Sequence, residues 1–203
     1  MKKMIKAQGK TEKIVGKDEK FDSSKYWIEY GIDLEKRRIM LDEDVDEYSM
    51  GWIFRAIFKM VDMDATAPID FIINSYGGSV YDGLMLYDLL RSLDYLTVRT
   101  YATGKIMSMG LILYLAGDER TASKRATFMA HSLSSGMWGK MRELEVEVDE
   151  CKRLQKDLVT ILAERTEYRT YEWWQKHIRH EDRFYARDKA IELGIVDDEE
   201  DEE

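Results

Sequence analysis

The chain has 203 residues, 44% hydrophobic and 35% charged, enough for the core of one large domain and too apolar along its body for disorder. Its net charge of −9 is uneven: residues 197–203 are seven consecutive acids, and residues 1–20 carry seven lysines against three acids. The balanced body argues against nucleic-acid binding, which needs a basic stripe facing phosphates. A single cysteine, Cys151, excludes an internal disulfide. No apolar segment of signal type opens the chain, and the most apolar uncharged run, residues 106–117, is too short to span a bilayer, so a cytoplasmic location away from membranes is expected.

Residues 1–24 are polar and aperiodic and read as a flexible basic arm. From residue 28 to Asp42 the apolar positions alternate weakly, which suggests one or two short strands. Trp52, Ile53, Ala56, Ile57 and Met60 then recur at helical spacing between Ser49 and Val61, and Pro68, the one proline, closes that unit.

"IDFIIN" (69–74) is nearly all apolar and fits a strand covered on both faces of a parallel sheet. Two glycines follow it. Ser79 and Asp82 then form an S-x-x-D capping pattern ahead of Val80, Leu84, Tyr87, Leu90 and Leu93, so the order is strand, glycine turn, helix. "YLTVRTYAT" gives a second strand that Gly104 breaks, and "SMGLILYLAG" starts a buried helix at Ser108 that ends near Gly117. "ATFMAH" is a third strand, ending on His131. Strands alternating with helices point to an α/β domain with its chemistry at the strand ends.

Residues 140–193 hold no glycine or proline. Leu144, Val148, Cys151, Leu154, Leu158, Ile161 and Leu162 form an apolar stripe, predicting one helix over about 142–167. Such a helix would be on the order of 35 to 40 Å long, so it should project and find a partner, most simply another copy. A helix broken near "RTEYRT" is the alternative.

Acyl transfer by a serine needs a base, an acid to orient it and donors aimed at the developing oxyanion. Ser108 at a helix start, where a serine is expected to cap the helix, has the free N–H of Met109 beside it, and Gly77 or Gly78 offers a second donor. His131, at a strand end before the polar "SLSSG", is the natural base. No local pattern singles out the acid. His177 and His180 stand at i and i+3 in "HIRHED", but the spacing matches no metalloprotease motif, and exposed helical side chains account for them. The glycine pair belongs to neither a P-loop nor a dinucleotide motif, and the G-x-S-x-G elbow is missing.

Taken in order, "INSYGGSVYDGLMLYDLLRSL", "KIMSMGLILYLAG", "FMAHSLSSG", the long helix and "EDRFYARDKAIELGIVDD" resemble the ClpP peptidase family over roughly residues 30–198. The resemblance implies the α/β, β-β-α superhelical fold shared with crotonases, in one domain over 25–198 with a projecting handle helix and an acidic tail at 199–203. It implies a serine endopeptidase acting on unfolded proteins inside a chamber. Ser108 matches the nucleophile, His131 the base and Asp182 the orienting acid, with Gly78 and Met109 as oxyanion donors and no metal. It further implies heptameric rings, one or two stacked, and an AAA+ unfoldase partner that uses the ATP, with no cofactor in this chain.

Several positions depart from the family pattern. Tyr76 replaces a proline before the glycines, and Ser132-Leu133 replaces Gln-Pro after the histidine; both touch the substrate groove. Glu181 stands where the family has an arginine that pairs across rings. Asp70 and Ser92 fall near positions that line the family's apolar docking pocket for the unfoldase. Such drift suggests a divergent member, with a viral source among the readings. Three further readings are a catalytically weak assembly protein, a phage capsid maturation protease and a crotonase-like acyl-CoA enzyme.

Overall fold

The computed structural model describes residues 23–166 and 169–197, so the basic arm up to residue 22 and the acidic tail at 199–203 lie outside the described residues. The fold opens with helix α1 (Ser23–Tyr30), two residues inside the stretch expected to be arm. The two short strands follow: β1 (Ile32–Asp33), antiparallel to β2 (Arg38–Leu41). Helix α2 (Glu47–Met63) covers the expected apolar stripe and starts earlier than Ser49. Its N-cap is Asp46, whose carboxylate accepts from the Tyr48 and Ser49 N–H groups while Ser49 Oγ accepts from the Asp46 N–H. Those donors hold the Asp46 carboxyl below its ordinary pKa, led by the Ser49 backbone N–H.

Strand β3 (Ile69–Ser75) pairs in parallel with β2 and with β4 (Val98–Met107). Helix α3 (Val80–Ser92) follows β3, with Ser79 Oγ accepting from the Asp82 N–H at 3.4 Å, so the capping pattern is realised. β4 runs straight through Gly104 instead of breaking there. The glycine takes φ +70° where the β3 register shifts between Ile73 and Ser75, so a kink replaces the expected strand end. A side-chain carbon at 104 would meet the Asn74 side-chain oxygen at 2.6 Å.

Short helix α4 (Met109–Tyr114) leaves β4 and stops one turn before Gly117. Arginines bind the carbonyls past its end: Arg165 those of Leu115 and Gly117, Arg91 that of Ala116. β5 (Glu119–Ala122), which the sequence did not reveal, pairs with β4, and β6 (Thr127–Ala130) pairs with the later part of β4. Helix α5 (Met141–Arg165) is unbroken over 25 residues, about 37 Å. α6 (Tyr171–His177), β7 (Arg183–Ala186, antiparallel to β6) and α7 (Arg187–Glu192) are the last elements of the described residues.

Among the described residues one sheet of seven strands results, in the order β1-β2-β3-β4-β6-β7 with β5 attached to β4. β3 is not covered on both faces. Ile69, Phe71, Ile73 and Ser75 are buried, whereas Asp70, Ile72 and Asn74 are half-buried, so among the described residues only one face of this strand is fully covered. On the open face Asp70 pairs with Arg99 at 2.6 Å. Asp197, the first residue of the acidic run, belongs to the packed body: it pairs with Arg120, and their main chains bond each other.

Candidate active site

Strand register brings the site together. In the β4/β6 ladder Met107 lies opposite Met129, so the chain past β4 meets the chain past β6. The Ser108 N–H donates to the Met129 carbonyl at 3.0 Å, fixing the serine at that junction. In the β6/β7 ladder Ala130 lies opposite Arg183, so His131 and Asp182, one step beyond, face each other. Three strand ends therefore deliver Ser108, His131 and Asp182 to one corner, although the residues are far apart in sequence.

Ser108 takes φ 52° and ψ −123°. Among the described residues only it and Arg37 are non-glycine residues at positive φ. Arg37 is fixed by three backbone carbonyls, of Met60, Ala67 and Pro68. The Ser108 side chain bonds no backbone carbonyl among the described residues, so no turn closure of that kind accounts for its strained backbone. The expected capping bond is absent: the side chain caps no helix N–H. Its Oγ lies instead 2.8 Å from His131 Nε2. On the other ring nitrogen, His131 Nδ1 lies 3.5 Å from Asp182 Oδ1. The histidine side chain is 23% exposed and the aspartate 58%.

The glycine pair stands against the serine. Val45 forms a parallel bridge with Gly78, its N–H donating to Gly77 O at 2.8 Å and its carbonyl accepting from Ser79 N–H at 2.7 Å. In such a bridge the middle residue's own N–H turns away from the partner strand. The N–H groups of Gly78 and Met109 have no protein acceptor among the described residues, and both residues line one cleft with Ser108 and His131. Glycine is required at both turn positions. A side-chain carbon at Gly77, φ +96°, would fall 2.7 Å from Met107 O and Ser108 Cβ, and one at Gly78 would fall 2.2 Å from Val45 O.

Leu111, Ile112, Leu158 and Leu162 line the inner wall of the cleft, giving an apolar recess beside the serine. A second groove continues outward past Gly78, Val80, Leu133 and Ser134 to Tyr81, Glu150 and Cys151, so the thiol faces a groove rather than the core. Gln155 Oε1 accepts from the Leu133 N–H at 2.5 Å, and Ser132 Oγ donates to Ile178 O at 2.8 Å, which tie the departing Ser132-Leu133 pair to α5 and to the chain after α6. Exposed Tyr76 lies under the Lys105 ammonium, 4.6 Å from the ring centroid.

The two histidines of "HIRHED" do not share an exposed helix face. His177 ends α6 and stacks on Trp173 at 4.1 Å, while His180 lies exposed in the turn beyond the helix. Burial, then Arg183, Arg169 and Lys189, hold His177 below its ordinary pKa. Among the described residues no three His, Cys, Asp or Glu side chains converge for a metal. Sequence reasoning missed Val45 and Ser75. The Ser75 hydroxyl donates to Glu43 O at 2.6 Å and accepts from the Gly77 N–H at 3.1 Å, and only long-range pairing could have exposed either role.

A strained serine hydrogen-bonded to a histidine, on a largely parallel α/β sheet with free backbone donors beside it, has the parts of a serine acyl-transfer site. Comparison with known proteins narrows the class. The model of the Clp protease family matches residues 23–201, and the chain belongs to that family of serine-type endopeptidases. It is similar to the ATP-dependent Clp protease proteolytic subunit of Bacteroides thetaiotaomicron, 31% identical over 80% of this chain and 73% of the relative. The subunit of Bacteroides fragilis is 30% identical over 80% of this chain and 78% of its own length. The ATP-dependent Clp protease proteolytic subunit 2 of Chlamydia trachomatis is 31% identical, covering 81% and 80%.

Proposed function

We propose that the chain is the proteolytic subunit of a Clp-type protease, hydrolysing peptide bonds of unfolded proteins with Ser108, His131 and Asp182 as its triad. The observation that carries this reading is the 2.8 Å contact between His131 Nε2 and the oxygen of a serine held at positive φ. His131 takes the Ser108 proton as Oγ attacks the scissile carbonyl carbon, and the N–H groups of Gly78 and Met109 receive the oxyanion. His131 then gives that proton to the leaving amine. Water, activated by the same imidazole, hydrolyses the acyl-enzyme and restores the serine. Asp182 fixes the ring; its 3.5 Å separation is of the loose kind that tightens when substrate fills the cleft. The apolar recess favours an apolar side chain next to the cut bond.

No cofactor is assigned to this chain. ATP belongs to an AAA+ partner that unfolds and delivers the substrate, a role supported by the "ATP-dependent" names of the relatives. The chain itself assembles into a seven-membered ring, singly or stacked, in the cytoplasm. Among the described residues no helix is long and apolar enough to cross a membrane.

The exposure of Asp182 favours a second reading, an assembly subunit with little turnover. Cleavage of a short fluorogenic peptide, which needs no unfolding or delivery, by purified assembled protein separates the two: the enzyme reading expects cleavage that Ser108→Ala lowers by at least about a thousand-fold. An intact peptide with assembled wild-type protein would support the assembly reading. Native mass spectrometry should give seven subunits or a multiple, and a monomer at micromolar concentration would contradict the ring.

A further inference from the structure

We propose that Arg183 is a positioning residue that holds the turn carrying Asp182 within reach of His131, by a clamp made inside one chain. The inference rests on the triad reading above. Asp182 meets a difficulty that Ser108 does not. Its ion pair with His131 is the one contact its carboxylate makes among the described residues, at 3.5 Å, beyond a hydrogen bond. It also stands in the turn between α6 and β7, more than half exposed. Where the carboxylate points therefore depends on what holds that turn.

Arg183 holds it from three directions. Its main chain pairs with Ala130, the residue before His131. Its Nε donates to the backbone carbonyl of His177 at 2.9 Å, and its Nη1 pairs with Glu181 Oε2 at 2.9 Å. One guanidinium thus closes a ring of chain from residue 177 to residue 183, with Asp182 inside it. The planar fork of arginine can meet a carbonyl and a carboxylate together, which a lysine ammonium does less well. The far anchor is rigid: His177 stacks on Trp173, and next to it fully buried Trp174 donates from Nε1 to Thr166 Oγ1 at 2.7 Å. Glu181, whose charge is opposite to the family arginine at that position, is engaged in this chain by its own neighbour.

Steady-state cleavage of a fluorogenic peptide by the full-length, assembled protein tests the clamp. Arg183→Gln should lower kcat on the order of ten-fold with KM unchanged, and Arg183→Lys should recover part of the loss. Glu181→Gln alters an exposed side chain without endangering the fold and should lower kcat about two-fold to three-fold. A merely structural arginine would lower the melting temperature but leave kcat per folded subunit untouched. Wild-type kcat in folded Arg183→Gln, or a change confined to KM, overturns the proposal. If Arg183→Gln does not fold, unchanged kcat in Glu181→Gln overturns it alone. Activity that Ser108→Ala removes but these variants leave intact would reject the clamp and keep the triad; activity that survives Ser108→Ala would reject the triad itself.

Discussion

The corner that holds Ser108 and the first half of α5 are neighbours built on opposite terms. At the corner, main-chain groups are tied across three strands, Gly77 and Gly78 are pressed against Ser108 and Val45, and Met109 is buried beneath. Along α5 no residue before Leu154 is buried, and Met141, Val146 and Val148 stand exposed, preceded by Trp138 at 98% exposure. What that half has is surface ion pairs, Lys152 with Asp149 and Arg153 with Glu150 and Asp157. Hydrogen bonds from Arg153 and then Tyr81 pull the Glu150 carboxyl down to about 2. Such exposed pairs add little to stability. The second half of α5 is different again: Leu154, Val159, Ile161 and Leu162 are buried, and Leu162 lines the cleft. The Ser108 corner is thus framed within one chain, while the exposed half presents apolar side chains that the described residues do not cover.

The largest way to break this contrast is at the corner itself. Gly77→Ala puts a carbon where Met107 O, Ser108 Cβ and the Met109 nitrogen already stand within 2.8 Å, at a backbone angle that alanine resists. Peptidase activity should fall at least about a hundred-fold, measured per folded subunit. Near-normal activity would mean that the glycine turn does not shape the site.

Next come paired truncations along α5. Leu162→Ala should cost about 2 to 5 kcal/mol in denaturant unfolding, whereas Val148→Ala, on an exposed side chain, should leave the midpoint of the isolated subunit in place and weaken assembly in native mass spectrometry. Equal costs at the two positions would erase the distinction between the halves.

The smallest effect concerns pH. His177 is held below its ordinary value of 6.5 by burial and by Arg183, Arg169 and Lys189, so the unfolded chain binds the proton more readily than the folded one. Its contribution is fully present above about 6.5 and is lost as pH falls toward the folded value. The melting temperature should drop between pH 7.5 and 5.5, and His177→Phe, which keeps an aromatic ring in the stack, should flatten that drop. An unchanged slope would show that other groups set it.

Local pattern made much of this legible. The Ser79-Asp82 cap, the stripes of α2 and α5 and the strand-turn-helix order each follow from contacts within a few residues, so periodicity reveals them. The proposed triad was only partly so. Ser108 and His131 stood out at strand ends, but Asp182 is brought beside His131 by the β6/β7 register, and among many acids only the family resemblance pointed to it. β5 and β7 were missed because each is four residues long and is stabilised by its partner strand. The open face of β3 was misread for a similar reason: an apolar run cannot say which side the helices will cover. The absent Ser108 cap has the same origin, since the hydroxyl answers to a histidine brought in by another strand.

Whether Ser108 is an activated nucleophile is read out by incubating the assembled protein with a fluorophosphonate and mapping the adduct. One covalent adduct is expected, on Ser108, and it should be lost in His131→Ala. A folded, assembled protein that takes no label, or takes it on another serine, would contradict that role.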